Sequence, residues 1–214
     1  MLMLMMFVLS LGGAWALARS RATPSSTAGG SPSSRPQGTP LFKHVQIDDL
    51  SFSLPPGWQQ QKDRESLVAQ GDSPGQAVTW VDAAQPTRRL SVTRTAVSPQ
   101  TNPAQVLQSA VITFLGAKQA QALKMIKQPL GLRFPTFVAM EVAGVTIDES
   151  GQQIEPHLVS VFSPDQEHYW VFYLTDRIPY ESGKEMEAFA RSAVAKDDQL
   201  MLEILRSVSL QQKP

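Results

Sequence analysis

The sequence predicts an α+β fold with a central, mainly antiparallel sheet, and three observations carry that expectation. Three apolar runs, Phe137–Ile147, Ile154–Phe162 and His168–Leu174, are separated by the turn-rich gaps Asp148–Gln153 and Ser163–Glu167. Runs rich in Val, Ile, Phe and Tyr that are broken by Gly, Pro, Asp and Ser read as an antiparallel meander. The last run, Tyr169–Leu174, does not alternate, so both faces of that strand should be covered. Helix-start signals stand before the meander at Asn102 and after it at Ser182 and Glu185.

Taken from the beginning, Met1–Ala18 is apolar and holds no charged side chain. Its small residues Ala14, Ala16 and Ala18 resemble the end of a secretory signal. Eighteen residues at ~1.5 Å each also come close to spanning a bilayer, so residues 1–18 are read as a signal peptide or a membrane anchor. Arg19 and Arg21 lie just beyond the run and oppose translocation, which keeps the cytoplasmic face of the membrane as the alternative location. Residues 19–40 form a linker rich in Ser, Pro, Gly and Thr, unable to bury enough surface to order itself. The globular domain is assigned to residues 41–214.

Within that domain, Val45–Leu54 is expected to be one strand, with Phe52 and Leu54 on one face. Pro55-Pro56-Gly57 turns the chain and Trp58 re-enters the core. Leu67–Ala69, Ala77–Val81 and Leu90–Val97 are further strands, with turns at Gly71–Gly75 and Asp82–Pro86. Asn102 caps a helix that has Pro103 at its first position and Gln105 completing a capping box. Val106, Leu107, Ala110, Val111, Phe114 and Leu115 give it one apolar stripe, and Gly116 weakens or ends it. Leu123–Ile126 is read as a strand leading into a turn at Pro129-Leu130-Gly131. After the meander, Met186, Phe189, Ala190 and Val194 face inward on a helix started by Ser182 and Glu185. Were that helix unbroken to Arg206, Asp197 would lie on its apolar stripe. A buried, unpaired aspartate is costly, so a break is expected near Lys196, with Asp197 or Asp198 capping a last helix. Ser207–Leu210 adds a short closing strand.

Composition narrows the chemistry. Hydrophobic residues make up 42% of the chain, which suits a globular core. The 19 basic and 19 acidic residues balance, but Arg19, Arg21 and Arg35 are the only charges before residue 40. The chain beyond residue 40 is therefore weakly acidic, which argues against nucleic acid as a partner. With no cysteine, thiolate chemistry, disulfides and Cys-ligated metals are impossible. No nucleophile elbow, phosphate loop, dinucleotide fingerprint or H-E-x-x-H occurs, so neither a catalytic constellation nor a cofactor is expected.

Of the three histidines, His157 and His168 sit on neighbouring runs. A hairpin closed by Ser163–Glu167 pairs residue 162 with 168 and 157 with 173. That leaves the two rings roughly 17 Å apart, too far to share a metal. The acidic pairs Asp48/Asp49, Asp148/Glu149, Asp165/Glu167 and Asp197/Asp198 are read as turn and cap residues. Arg88, Arg89 and Arg94 form the local basic cluster, with Arg88 and Arg94 on one strand face and Arg89 on the other. They are read as a solvated sheet edge, or as contacts for an acidic partner. Trp80 and Trp170 are read as core residues, or as the wall of an aromatic ligand pocket.

Two segments carry a family resemblance. Phe52-Ser-Leu-Pro-Pro-Gly-Trp58 resembles the Phe-x-(Ile/Leu)-Pro-x-Gly-Trp opening of PsbP-like and Mog-like domains. Leu202-Glu-Ile-Leu-Arg-Ser-Val-Ser-Leu210 is similar to their closing helix and apolar strand. The resemblance spans about Leu41 to Leu210 and implies a three-layer α/β/α sandwich, with helices flanking both faces of the sheet. It also implies a non-enzymatic protein: members attach to photosystem II, bind the GTPase Ran, or sit in the bacterial envelope. No functional residue transfers, because the matching positions are fold-forming ones. The expectation is a non-catalytic, exported or membrane-tethered domain of the bacterial periplasm or envelope that binds another protein. Arg88, Arg94, Trp80 and Trp170 are its candidate contacts. The alternative is a carrier of a small metabolite or lipid in a sheet–helix crevice.

Overall fold

The computed structural model describes residues 42–61, 77–98, 101–164, 168–180 and 185–211. Leader and linker, the expected strand Leu67–Ala69, the turn Gly71–Gly75, Asp165/Glu167 and Ser182 all lie outside them.

The first expected strand is in fact a hairpin. β1 (Lys43–Ile47) and β2 (Leu50–Leu54) pair antiparallel with Ile47 opposite Leu50, so Asp48 and Asp49 form a two-residue turn. Asp48 takes a φ of 50°, a conformation that Asp tolerates better than most residues. Asp48/Asp49 are the turn residues they were read as, and they divide the expected strand Val45–Leu54 in two. Gly57, at φ 94°, closes the predicted Pro55–Gly57 turn, and Trp58 is buried at the start of β3 (Trp58–Gln60).

β4 (Val78–Asp82) and β5 (Gln85–Ala96) turn at Ala83-Ala84 alone, with Pro86 already inside β5. Val81 faces Arg89 while Asp82 faces Gln85, so residues 86–88 bulge out of the ladder. α1 (Pro103–Ala122) begins with the predicted capping box: Gln105 N donates to Asn102 Oδ1 at 3.0 Å, and Asn102 N donates to Gln105 Oε1 at 3.1 Å. Gly116 does not end this helix. Its φ of 76° and ψ of 156° put a kink there, and helical structure resumes to Ala122.

β6 (Lys124–Arg133) runs through Pro129 and Gly131, where a chain reversal was expected; two register shifts against its neighbour absorb the irregularity. β6 terminates the sheet, which is where a strand proline is tolerated. β7 (Val138–Ile147), β8 (Gln153–Phe162) and β9 (His168–Thr175) form the predicted meander. The register between its last two strands differs by two residues from the expected one: Phe162 faces Trp170 and His157 faces Thr175. β10 (Ile178–Pro179) continues in step, Ile178 opposite Ile154. The interruption at Asp176 and Arg177 lies opposite Pro156, which has no N–H to give the ladder.

α2 (Met186–Arg206) is a single unbroken helix, and the break expected near Lys196 does not exist. Its N-cap is Glu185, with no side-chain capping bond, so Glu185 is not the third residue of a box begun at Ser182. β11 (Ser209–Leu210) is the predicted closing strand and pairs with β2.

Among the described residues the larger sheet runs β3-β4-β5-β9-β8-β7-β6, with β10 beside β8, and a second sheet runs β1-β2-β11. Every strand pair is antiparallel. The fold is α+β. Alternation along β9 supplies two cores. Trp170, Phe172 and Leu174 join Leu90, Val92, Phe52 and the α2 residues Val194, Met201 and Leu205. Tyr169, Val171 and Tyr173 join Val159 and Val161 and the α1 residues Val106, Leu107 and Ala110. The non-alternating run is thus buried on both faces, as its composition demands.

Gly144 on β7 allows β6 to start close by: a Cβ there would lie 2.8 Å from the Lys124 carbonyl oxygen and 2.9 Å from the Leu123 side chain. Gly144→Ala is therefore expected to cost about 1–3 kcal/mol by forcing backbone apart. The urea midpoint measures it, and an unchanged midpoint would show that the β6 entry yields freely.

Candidate functional site

Two polar assemblies stand out, one on each face of the larger sheet. The first lies under α2. Arg88 projects from the β5 bulge with its Nη2 3.0 Å from Asp197 Oδ1 and 3.4 Å from Asp176 Oδ2; Nη1 is 3.8 Å from Asp82 Oδ2. Asp176 also accepts from Gln85 Nε2, from Thr87 Oγ1 at 2.8 Å and from the Arg177 backbone N–H at 2.7 Å. Asp197 has no such set: neither of its oxygens receives a well-directed hydrogen bond, so its contact with Arg88 is ionic. Burial pushes the Asp197 carboxyl up to about 6, with Arg88 pulling down and Asp176 adding to the rise.

One residue further along α2, Asp198 reaches the other side of the helix. Lys127 Nζ on β6 donates to Asp198 Oδ1 and to Glu141 Oε1, each at 2.7 Å, and Ser160 Oγ donates to Glu141 Oε2 at 2.7 Å. Burial raises the Glu141 carboxyl against the pull of Lys127 and Ser160. Burial also works to lower the Lys127 ammonium, but its bonds to Asp198 and Glu141 outweigh that and leave it raised. The expected cap pair Asp197/Asp198 is therefore a mid-helix clamp. Consecutive helical positions point about 100° apart, so one acid meets β5 and the next meets β6.

The second assembly faces α1. His157 on β8 hydrogen-bonds Thr146 Oγ1 through Nε2 and Tyr173 Oη through Nδ1, each at 2.8 Å, while Phe114 of α1 stacks on Tyr173. Burial lowers the imidazole to about 4 and raises the Tyr173 phenol to about 12. At neutral pH the ring is uncharged, and both nitrogens are engaged in structure. It has no free lone pair to act as a base. Beside this network opens a cleft of about 310 Å³, whose wall includes Arg89, Gln119, Glu155, Thr175 and Arg177.

The sequence-derived candidates fall apart spatially. Trp80 and Trp170 are 2% and 1% exposed in the core, Trp80 edge-on to Phe52, and neither borders the cleft. Arg94 sits over the Trp170 ring at 5.8 Å and 3.9 Å from Asp49 Oδ1. Arg88 is taken up by the acids below α2. The solvated-edge reading of these arginines is corrected: β5 lies between β4 and β9, in the interior of the sheet. His157 and His168 have different neighbours, His168 facing Ala96. Among the described residues no group of three or more His or acidic side chains is placed to hold a metal ion, and no helix is long and apolar enough to cross a membrane.

The edge of the sheet offers the more accessible surface. Leu130 on β6 is 50% exposed and Val138 at the start of β7 is 58% exposed, and no described strand covers the outer side of β6.

No protein-family model matches the sequence, and no curated protein matches it significantly. Solved structures do match in shape. The Ran-binding protein Mog1p of Saccharomyces cerevisiae superposes with a TM-score of 0.53 at 13% identity, covering 80% of this chain and 96% of that one. The fold is Mog-like. A mutant Mog1 structure gives the same TM-score at 12% identity, over 80% of this chain and 97% of its own. LpqN, involved in cell envelope biogenesis of Mycobacterium tuberculosis, matches over 80% of this chain and 91% of its own, at 14% identity and a TM-score of 0.41.

Proposed function

We propose that this Mog-like domain is a non-catalytic binding module that engages a protein partner along the β6 edge of its sheet. The observation that carries the reading is the pair of exposed apolar side chains, Leu130 and Val138, on the two outermost strands at that end. Single exposed leucines are ordinary, but Leu130 lies on a strand whose outer backbone groups have no described partner, and Val138 stands on the opposite face of the neighbouring strand. An added strand is a common way to engage such an edge. The bulges and Pro129 limit how many residues an added strand can pair, which favours a short contact over open-ended aggregation.

Two further points support it. The buried and partly buried ionisable groups, Arg88, Asp176, Asp197, Lys127, Glu141 and His157, are committed to one another or to neighbouring side chains. The shape is shared with a protein that binds Ran, so the fold is compatible with protein recognition. The reading includes the α/β/α layering implied by the resemblance, with α1 and α2 covering opposite faces and leaving the sheet edge as the accessible rim. It also places the domain outside the cytoplasm or on a membrane, on the strength of the apolar leader and the linker before residue 41.

Capture from envelope fractions with full-length protein is the test. Leu130→Asp with Val138→Asp is expected to abolish recovery of the partner while leaving the urea midpoint nearly unchanged, since both side chains are half-exposed or more. Recovery of the same partner by the double variant, or of none at any salt concentration, would defeat the proposal.

A further inference from the structure

Of the three arginines on β5, two are consumed internally. Arg89 is not. It is exposed, and no described residue gives its side chain an ion pair or a hydrogen bond. Alternation turns it away from Arg88 and Arg94 and onto the α1 side, where it borders the cleft beside His157.

The four formal charges on the cleft wall, Arg89, Arg177, Glu155 and Asp176, sum to zero, and of the four only Arg89 has no described ion-pair or hydrogen-bond partner. Glu155 is matched by Arg177, whose Nε donates to Glu155 Oε1. Asp176, at the inner wall, is held by its three hydrogen-bond donors and shares Arg88 with Asp197 and Asp82. His157 is neutral and Tyr173 is bonded to it. What remains unmatched is the Arg89 guanidinium, with the exposed Gln119 amide of α1 on the facing wall. The cleft's volume, about 310 Å³, lies at the small end of ligand pockets. Its wall includes the polar side chains of Arg89, Thr87, Thr175 and Gln119. A guanidinium fork matches two oxygens of a carboxylate or phosphate.

We infer that this cleft is a recognition site for a small hydrophilic anion, a carboxylate or phosphate group, held by Arg89 and completed by Gln119. The site is separate from the proposed protein-binding edge: β5 and β6 stand at opposite ends of the β5-β9-β8-β7-β6 series. It does not rest on that reading, and either can fail alone.

The anion has two sources, a free small molecule or an acidic side chain of a bound protein, and three probes separate them. Full-length isotope-labelled protein is titrated with citrate, with inorganic phosphate and with an end-blocked tetraglutamate peptide, against a tetraglutamine control. Amide shifts at Arg89, Gln119, Thr175 and Arg177 are expected to saturate with at least one anionic probe and not with the control. Saturation by citrate or phosphate identifies a free anion; saturation by the peptide alone identifies a protein side chain. Arg89→Gln is expected to weaken binding about tenfold or more, with partial retention in Arg89→Lys, while both keep the wild-type urea midpoint because the side chain is exposed. Absence of saturable shifts with every probe, or equal affinity in Arg89→Gln, overturns the inference.

Discussion

Arg88→Met is expected to lower the unfolding free energy at pH 7 by about 3–5 kcal/mol, because it strands a buried carboxylate without its counter-charge. Asp197 is the group left in that position. Asp176 keeps Gln85, Thr87 and the Arg177 N–H, and Asp82 is partly exposed, whereas Asp197 has only Arg88. The reciprocal change is not equivalent. Asp197→Asn removes a charge that burial already opposes, and should shift stability by less than about 1 kcal/mol or raise it. Combining Arg88→Met with Asp197→Leu should recover most of the loss, since a helix stripe that includes Val194 and Met201 accepts an apolar neighbour. Urea unfolding followed by the fluorescence of buried Trp58, Trp80 and Trp170 measures all three variants. A loss below about 1 kcal/mol in Arg88→Met would show that water screens the cluster, and would leave the unbroken course of α2 past Asp197 without its physical cause.

Acidification should expose two opposed titrations. His157 is lowered from 6.5 to about 4 in the folded protein, so its contribution is fully present above pH 6.5 and is lost as pH falls through 4. Asp197 is raised from 3.8 to about 6, so its contribution is greatest below pH 4 and is lost as pH rises through 6. Each shift exceeds two pH units, or about 3 kcal/mol, and the two nearly cancel between pH 4 and 6.5. Asp197→Asn removes the compensating member. Relative to wild type, it is expected to lose about 3 kcal/mol more on going from pH 6.5 to pH 4. His157→Gln, whatever it costs in absolute stability, should reverse the slope and gain relative to wild type over the same interval. Parallel pH profiles for all three proteins would show that neither group titrates far from its ordinary range.

The parts of this structure that were legible in the sequence are those whose cause is local. Asn102, Pro103 and Gln105 state a helix start in four consecutive residues, and the structure forms each of their bonds. Pro55–Gly57 and the gap Asp148–Gln153 reverse the chain because Gly57 and Gly151 supply positive φ. Tyr169–Leu174 announces two buried faces through the lack of alternation. The same local reasoning read Asp48-Asp49 as turn residues but carried one strand across them, since alternation on either side of a two-residue reversal looks continuous. It also read Pro129 as a turn, because the bulges that accommodate a proline depend on a neighbouring strand rather than on the residues beside it.

The break assigned to α2 is the most instructive difference. The premise was sound, since an unpaired aspartate does not stay buried. The conclusion failed because the partner, Arg88, stands 109 positions earlier in the sequence and reaches Asp197 only through the β5 bulge. The sole sequence trace of that pairing was a basic cluster on a strand otherwise lined by Leu90 and Val92. By itself the sequence determined the start of α1, the turns at Gly57 and Gly151 and the two-faced burial of the meander, because each follows from neighbours along the chain. Only the tertiary structure decided which charges cancel and which remain. Ion pairing falls off over a few ångströms through space, and nothing in residue spacing records that Arg88 is spent while Arg89, one position later, has no partner among the described residues.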